Sequence, residues 1–142
     1  MSLLQIQNKK LLDMLQKNRF DLSNAELEIF DENILKYDSL EELILAENRI
    51  KTLPNNIGKL ETLTWLVLSD NRLESLPNSI SNLINLQGLF LSGNKLKKLP
   101  SSIINLKNLK MLSIADNDSL VLTKTQEKWT DFLRMNGCMV LR

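Results

Sequence analysis

The chain has 142 residues, 43% of them hydrophobic and 25% charged, and this length suits one domain with a sizeable hydrophobic core. Eighteen basic and seventeen acidic residues leave a formal net charge of +1, which argues against a general attraction to nucleic acid or to an anionic membrane. There is no histidine and one cysteine, Cys138, so histidine-based metal and catalytic sites and an intramolecular disulfide are excluded.

No part of the sequence predicts a membrane segment. No apolar run approaches the roughly 18 residues that a transmembrane helix needs. The first residues are broken by Gln, Asn, Lys and Asp, unlike a secretory signal. A single cysteine, which cannot form an intramolecular disulfide, is typical of a protein in a reducing compartment. We therefore expect a cytoplasmic protein without membrane contact, and export by a route that needs no signal peptide stays open.

The N-terminal segment, residues 1–16, predicts an amphipathic helix whose apolar side chains form one stripe. We expect this stripe to cover the apolar end of the segment that follows, as a helical cap. A helix that binds a partner or lies on a membrane surface is the alternative, which the few cationic residues disfavour. The apolar residues are Leu3, Leu4, Ile6, Leu11, Leu12, Met14 and Leu15.

Residues 17–122 consist of about five copies of a 23-residue unit. Three copies in uninterrupted phase, 40–62, 63–85 and 86–108, share the pattern L-x-x-L-x-L-x-x-N-x-(L/I)-x-x-L-P-x-x-I-x-x-L. A degenerate copy precedes them at 17–39, and a last copy starts at Leu109 and departs from the pattern by one extra residue after Asn117. They are numbered repeats 1 to 5, with positions counted from the first leucine of the pattern.

The pattern within one repeat predicts a short strand followed by a turn. Its L-x-L step has a period of two, which buries one side of a strand. One repeat cannot bury its leucines alone, whereas stacked repeats bury them beneath a parallel sheet with strands about 4.8 Å apart. The asparagine of position 9 recurs where each strand turns, and we expect its amide to bond backbone groups that would otherwise be unsatisfied. These asparagines are Asn48, Asn71, Asn94 and Asn117.

Residues 123–142 predict a helix and a final strand that cap the other end of the stack. Thr123 and Gln126 have the spacing of a capping box, which opens a helix through about Asn136. Gly137 is a suitable C-terminal stop. The segment 138–141 then predicts a last strand that closes the sheet, with Cys138 in the core. The expected apolar face of the helix consists of Trp129, Phe132 and Leu133.

Over residues 17–122 the chain resembles the leucine-rich repeat family. Its Leu-Pro-x-x-Ile half is similar to the 23-residue class found in Ras-associated leucine-rich scaffold proteins and small bacterial leucine-rich proteins. The resemblance implies an α/β fold, a right-handed solenoid shaped as a short horseshoe, with a parallel concave β-sheet and helical caps at both ends. It implies one domain over residues 1–142 that binds a protein or peptide partner without catalysis, cofactor or metal.

Strand alternation divides each repeat between core and surface. Positions 4 and 6 are buried, so positions 3 and 5 face the concave, solvent side. Five apolar side chains meet in the middle of this face, and Gly88 leaves space over which the Trp65 indole could lie. Together they could present several hundred Å² of apolar surface, the size of a functional patch. The predicted partner-binding residues are Ile44, Trp65, Val67, Phe90 and Met111, with Arg19, Glu42 and Asp70 as a polar rim.

Charged residues border the concave face. Position 8 is mostly acidic and position 10 mostly basic, so that Glu47 can pair with Arg49 and Asp70 with Arg72 within one repeat. Cations at and near position 10 could form a basic strip for phosphate or nucleic acid, which the interleaved acids disfavour. These cations are Arg49, Arg72, Lys95, Lys97 and Lys98.

The apolar cluster favours a protein-binding module that uses the concave face. In one alternative the rings only protect the sheet, and in another they join two copies of the chain face to face as a homodimer. An enzyme is disfavoured, because the sequence has no Gly-rich phosphate loop, metal-ligand cluster or paired nucleophile and base. We therefore expect no catalytic residue, no cofactor and no bound nucleic acid.

Overall fold

The computed structural model describes residues 18–142, and the helical cap predicted at residues 1–16 lies outside them. Within residues 18–142 six strands of three residues each form one sheet, in which the spatial order equals the chain order. Every neighbouring pair of strands is parallel. The strands are β1 (Arg19–Asp21), β2 (Glu42–Ile44), β3 (Trp65–Val67), β4 (Gly88–Phe90), β5 (Met111–Ser113) and β6 (Met139–Leu141).

Between consecutive strands from β1 to β5 the chain returns along the convex side through short 3-10 helices, and an α-helix connects β5 to β6. Pro77 and Pro100 directly precede two of them in extended conformation, since the proline ring fixes φ. The predicted solenoid with a parallel sheet is confirmed by this arrangement. No helix within residues 18–142 is long and apolar enough to cross a lipid bilayer. The 3-10 helices span Glu32–Lys36, Ile57–Lys59, Asn78–Asn82 and Ser101–Asn105, and the α-helix of the described residues, α1, spans Lys124–Met135.

The repeat length sets the register of the sheet. Glu42 lies beside Trp65, and Trp65 beside Gly88, each 23 residues further along the chain. Because side chains alternate along a strand, this constant spacing keeps each inward position in line with the same position of the next repeat. The last strand joins the same register although α1 precedes it, with Met139 beside Met111.

The core is a stack of leucine and isoleucine side chains beneath the sheet. The central strand residues Leu43, Leu66 and Leu89 have no exposed area. The isoleucines of position 18 close the core from the convex side, where Ile57 and Ile80 are also fully buried. Each such side chain stabilises the fold by about 1.5–3 kcal/mol relative to exposure. This burial requires the neighbouring repeats on both sides.

The position-9 asparagines form a buried ladder beside the core. The Nδ2 of Asn71 donates to the Leu45 carbonyl at 2.8 Å and to the Leu68 carbonyl at 3.2 Å. The Oδ1 of Asn71 accepts from the backbone N–H of Ile50 at 3.0 Å. One side chain therefore satisfies backbone groups of two successive repeats. Equivalent bonds are made by Asn48, Asn94 and Asn117.

A second ladder lies on the convex side, at position 23, and the sequence reasoning missed it. The Nδ2 of Asn85 donates to the Glu61 carbonyl at 2.8 Å. Asn108 makes the same bond one repeat later, to the Ile84 carbonyl. In repeat 2 this position holds Thr62, whose hydroxyl lies within hydrogen-bonding distance of the Asp38 carbonyl of the preceding repeat, at 2.9 Å. A small polar residue at the end of each regular repeat is the signal that could have revealed this ladder.

The turn after each strand has left-handed backbone at position 8. The angle φ is +56° at Glu47 and Asp70, +53° at Asp116 and +67° at Gly93. Glycine adopts this conformation freely and aspartate tolerates it, whereas glutamate does so at a greater cost. The turn places the asparagine of position 9 beneath the sheet and fixes the position-8 side chains at its rim.

Hydrogen bonds define both ends of α1. The Thr123 hydroxyl accepts from the Gln126 N–H at 3.2 Å, and the Gln126 Oε1 accepts from the Thr123 N–H at 3.0 Å, which forms a capping box. At the other end Gly137 has φ +84°, and the Cys138 N–H donates to the Leu133 carbonyl at 2.9 Å. This left-handed glycine terminates the helix and starts the approach to β6.

The packed face of α1 includes two of the three expected residues, together with the polar residues Gln126 and Thr130. Trp129 and Leu133 are buried, and the Trp129 Nε1 donates to the Leu106 carbonyl of repeat 4 at 3.0 Å. The assignment of Phe132 to this face is wrong, because its side chain is 43% exposed. With about 100° between successive helix residues, Phe132 falls outside the stripe that contains its neighbour Leu133.

Cys138 connects the end of α1 to the last strand. Its side chain is 6% exposed and takes part in no disulfide. Burial raises the pKa of the Cys138 thiol above its ordinary value. The thiol therefore stays protonated at neutral pH and packs as a small apolar group.

Candidate functional site

The concave face of the sheet consists of two columns of side chains. Position 5 of consecutive repeats forms one column, in which Ile44 lies beside Val67 and Val67 beside Phe90. Position 3 forms the other column, where Trp65 and Met111 lie on either side of Gly88. The five apolar residues expected on this face are thus neighbours in the sheet, and each of them is half-buried.

The two large rings of this face stack on each other. The ring centroids of Trp65 and Phe90 are 5.6 Å apart, with an angle of 18° between the planes. Gly88, which lies beside Trp65 in the sheet, is buried by the rings. A Cβ atom at position 88 would overlap with the Cε3 and Cζ3 atoms of the indole. The absence of a side chain at Gly88 therefore lets the indole lie flat against the sheet.

The last strand extends the apolar surface beyond the residues expected from the sequence. Met139 continues the position-3 column and Leu141 the position-5 column. They are 56% and 47% exposed, more than the residues of the central strands. Alternation within the predicted strand 138–141 was the signal that could have placed both on this face. The surface formed by Ile44, Trp65, Val67, Phe90, Met111, Met139 and Leu141 is named the concave strip.

The β1 end of the concave face is charged. Arg19 reaches the carboxylates of Asp21 and Glu42, at N–O distances of 3.2 and 3.3 Å. The Ser23 hydroxyl donates to the Asp21 carboxylate at 2.6 Å, and this bond, aided by Arg19, lowers the pKa of Asp21. Of the predicted polar rim, Arg19 and Glu42 lie together here. Asp70 lies apart from them, three residues after β3.

The ion pairs beside the strip differ from those expected. Among residues 18–142, Glu47 is not paired with Arg49, nor Asp70 with Arg72. Arg49 instead pairs with Glu26 of the preceding repeat, at 3.3 Å. Both members of this pair occupy position 10, and stacking places equal positions of neighbouring repeats side by side.

A comparison with protein-family models gives two overlapping matches to the family described as leucine rich repeat, over residues 38–96 and 61–118. The matched residues span repeats 2 to 4 and part of repeat 5. The chain belongs to the leucine-rich repeat family. A comparison with curated protein sequences found no match.

Solved structures of other leucine-rich repeat proteins share this fold. A leucine-rich repeat protein of Leptospira interrogans is 34% identical over 81% of this chain, with a TM-score of 0.69. The BIR3–SERK2 complex of Arabidopsis thaliana matches 73% of the chain at 32% identity, with a TM-score of 0.63. The Arabidopsis receptor kinase HAESA, solved with the peptide hormone IDA and the co-receptor SERK1, matches 80% at 27% identity, with a TM-score of 0.64. The chain spans 28%, 56% and 19% of the lengths of these three structures.

The concave face of this leucine-rich repeat domain is apolar in its middle and charged at its β1 end. Within the described part of the chain, no group of three or more Cys, Asp or Glu side chains is placed to hold a metal ion. The concave strip offers apolar area on a hydrogen-bonded sheet, with hydrogen-bonding side chains at its rim. Such a surface gains free energy when a partner covers it and excludes water.

Proposed function

We propose that this leucine-rich repeat domain is a non-catalytic module that binds a protein or peptide segment on the concave strip. The observation that carries the proposal is the stack of Trp65 on Phe90, with Val67 and Ile44 alongside, on the solvent face of the sheet. Leucine-rich repeat domains generally mediate protein–protein interaction. Large aromatic side chains are the residues that most often dominate binding energy at such surfaces.

The strip is preorganised for binding. Its side chains stand on short strands that pair in one register, and the Trp65 ring contacts both the space over Gly88 and the Phe90 ring. Binding therefore orders few additional side chains, and each immobilised flexible side chain would otherwise cost about 0.5–1.5 kcal/mol. The charged groups of Arg19 and Glu42 at one end, and Asp70 at the side, would orient the partner.

Structural relatives supply precedents for a protein or peptide partner. HAESA was solved with a peptide hormone and a co-receptor, and BIR3 in complex with SERK2. These partners are properties of those proteins. They support the class of ligand proposed here, and they name no partner for this chain.

Affinity capture from a lysate of the source cells tests the proposal. We expect Trp65→Ala and Phe90→Ala each to reduce recovery of the captured partner at least about tenfold, the effect of losing an aromatic anchor. Ile84→Ala is the matched control, because Ile84 is an exposed apolar residue of the convex side and is 54% exposed. The melting temperatures of the two concave variants should stay close to that of the wild type.

Two results would contradict the proposal. The first is recovery of the same partner by both concave variants. The second is unfolding of both variants, which would assign the rings to protection of the sheet. Sedimentation at low and high protein concentration tests a third possibility, a homodimer. A stable dimer that Trp65→Ala abolishes would show that two copies cover each other's strips.

A further inference from the structure

The concave face carries a charge opposite to that of the whole chain. The strands and the position-8 turns contribute one cation, Arg19, against five carboxylates. Their formal net charge is −4, whereas the chain as a whole has +1. The excess of positive charge therefore lies on the other surfaces. The five carboxylates belong to Asp21, Glu42, Glu47, Asp70 and Asp116.

Three of these carboxylates are available for a partner. Glu47, Asp70 and Asp116 follow β2, β3 and β5 and are exposed, and they are named the turn carboxylates. Within residues 18–142 none of them has a cationic group within 4 Å. Their left-handed backbone holds all three at the same rim of the sheet. Arg19, by contrast, is engaged by both of its neighbouring carboxylates.

The position-10 cations Arg49, Arg72 and Lys95 come after the position-8 turns along the chain, away from the strands that carry the strip. Position 10 follows position 8 by two residues, on the flank of the solenoid, and its first cation, Arg49, is already bonded to Glu26. A partner that covers the strip meets the turn carboxylates first. Along repeats 2 and 3 the order is thus apolar strand residues, an acidic turn and a basic position 10.

Building on the proposed function, we propose that the concave strip binds a cationic amphipathic helix. The apolar face of the helix would cover Trp65, Val67 and Phe90, and its lysine or arginine side chains would reach the turn carboxylates. An acidic partner would bring like charges together at the rim, which costs affinity and opposes binding. An anionic membrane surface is disfavoured for the same reason.

The dimensions of the strip fit such a helix. Its two columns are about 7 Å apart, within the roughly 10 Å width of a helix. From β2 to β6 it extends over four strand spacings, about 19 Å, which is the length of about 13 helical residues. The turn carboxylates are one and two strand spacings apart, so cations at about i, i+3 and i+10 of the helix would meet them in turn.

The probes are three synthetic peptides of about 14 residues, the length of the strip. One carries leucines on one helical face and lysines on the other, the second has glutamate in place of lysine, and the third is a scrambled form of the lysine peptide. Fluorescence anisotropy with the full chain should show binding of the lysine peptide alone, weakened when salt rises from about 20 to about 300 mM. The indole N–H signal of Trp65 should shift in NMR spectra, and that of buried Trp129 should not.

Variants of the chain separate this inference from the proposed function. Glu47→Gln, Asp70→Asn and Asp116→Asn together should lower the affinity for the lysine peptide about tenfold, as expected for three exposed ion pairs. The matched control neutralises three exposed carboxylates elsewhere, Glu28, Glu61 and Glu74, to glutamine and should leave the affinity within about twofold. Phe90→Ala should abolish binding.

The inference is overturned if the lysine peptide does not bind, if the glutamate peptide binds equally well, or if the two triple variants bind alike. In that last case, loss of binding in Phe90→Ala would still support the concave strip as a binding surface, and only the charge of the partner would be refuted. Failure of the proposed function itself would appear in the lysate capture, where Trp65→Ala and Phe90→Ala would then leave the captured partner unchanged.

Discussion

Single polar side chains hold consecutive repeats together in this molecule. Asn71 bonds the carbonyls of Leu45 and Leu68 and the N–H of Ile50, all in a region that water does not reach. Its side chain is nearly isosteric with that of leucine, but an apolar leucine could not satisfy these groups. The recurrence of asparagine at position 9 is thus explained by backbone groups that a turning strand leaves without partners.

Replacing Asn71 with alanine should lower the free energy of unfolding by about 3 kcal/mol, since buried carbonyl and N–H groups lose their partners. Denaturation in urea, followed by circular dichroism, measures the change. Asn85→Ala is the control, because Asn85 bonds a carbonyl on the exposed convex side. Its cost should stay below about 1 kcal/mol. Equal losses in the two variants would show that the buried ladder is no more important than the exposed one.

At the scale of elements, α1 and β6 continue the stack, with an α-helix in place of the 3-10 helices of the repeats. The buried residues Gln126 and Trp129 donate to the carbonyls of Leu99 and Leu106, so the helix covers backbone as well as apolar groups of repeat 4. The strand after it adds Met139 and Leu141 to the concave strip. The contacts of α1 with repeat 4 are part of the fold. That the stack requires α1 as a cap for its stability is a prediction.

One ion pair joins α1 to the residue after β6. Arg142 donates from both terminal nitrogens to the Glu127 carboxylate, at 2.7 and 2.8 Å. The hydrogen bonding between Arg142 and Glu127 is the largest influence on both pKa values. It lowers the pKa of Glu127 and raises the pKa of Arg142. A carboxyl group with a lowered pKa in the folded state contributes stability above its ordinary pKa of 4.5. That contribution is lost as the pH falls through the folded-state value.

Glu127→Gln should therefore lower the melting temperature near neutral pH, and the difference from the wild type should vanish as the pH is lowered below 4.5. Thermal unfolding from about pH 3 to about pH 7 measures the effect, which should shrink in high salt because the pair is exposed. Glu28→Gln, which neutralises an exposed glutamate at the opposite end, is the control. A difference that persisted at low pH would rule out the ion pair as its source.

At the scale of the whole molecule, energetic coupling should follow the order of the stack. Neighbouring asparagines share backbone partners: Asn71 and Asn94 both donate to the Leu68 carbonyl. Asn48 and Asn117, three repeats apart, share none within the described bonds. In a solenoid, stability is approximately the sum of repeat terms and nearest-neighbour terms.

Double-mutant cycles to alanine test this organisation. In Asn71→Ala with Asn94→Ala the Leu68 carbonyl loses both donors, so the pair should cost at least about 0.5 kcal/mol more than the sum of the single changes. Asn48→Ala with Asn117→Ala should be additive within about 0.5 kcal/mol. All variants are unfolded in urea at one fixed concentration of a stabilising osmolyte. The osmolyte keeps the double variants folded before urea is added. Equal coupling in both cycles would contradict nearest-neighbour behaviour.

The sequence by itself determined the architecture. A 23-residue period with leucines two apart specifies a strand register, because only repeats stacked in that register bury the leucines, and it assigns Trp65, Val67 and Phe90 to the outer face. The same period places an asparagine at the buried end of each turn in repeats 2 to 5, Asn71 being the one in repeat 3. These features are local or repeated at a constant interval, so they can be read along the chain.

Only the tertiary structure decided how side chains from different repeats meet. It showed that the Trp65 ring stacks on the Phe90 ring, that Arg49 pairs with Glu26 in place of Glu47, and that Phe132 lies outside the packed face of α1. Each of these outcomes depends on side-chain directions and turn geometry across repeats. The one-dimensional pattern fixes which positions become neighbours, and packing in three dimensions selects which of those neighbours make contact.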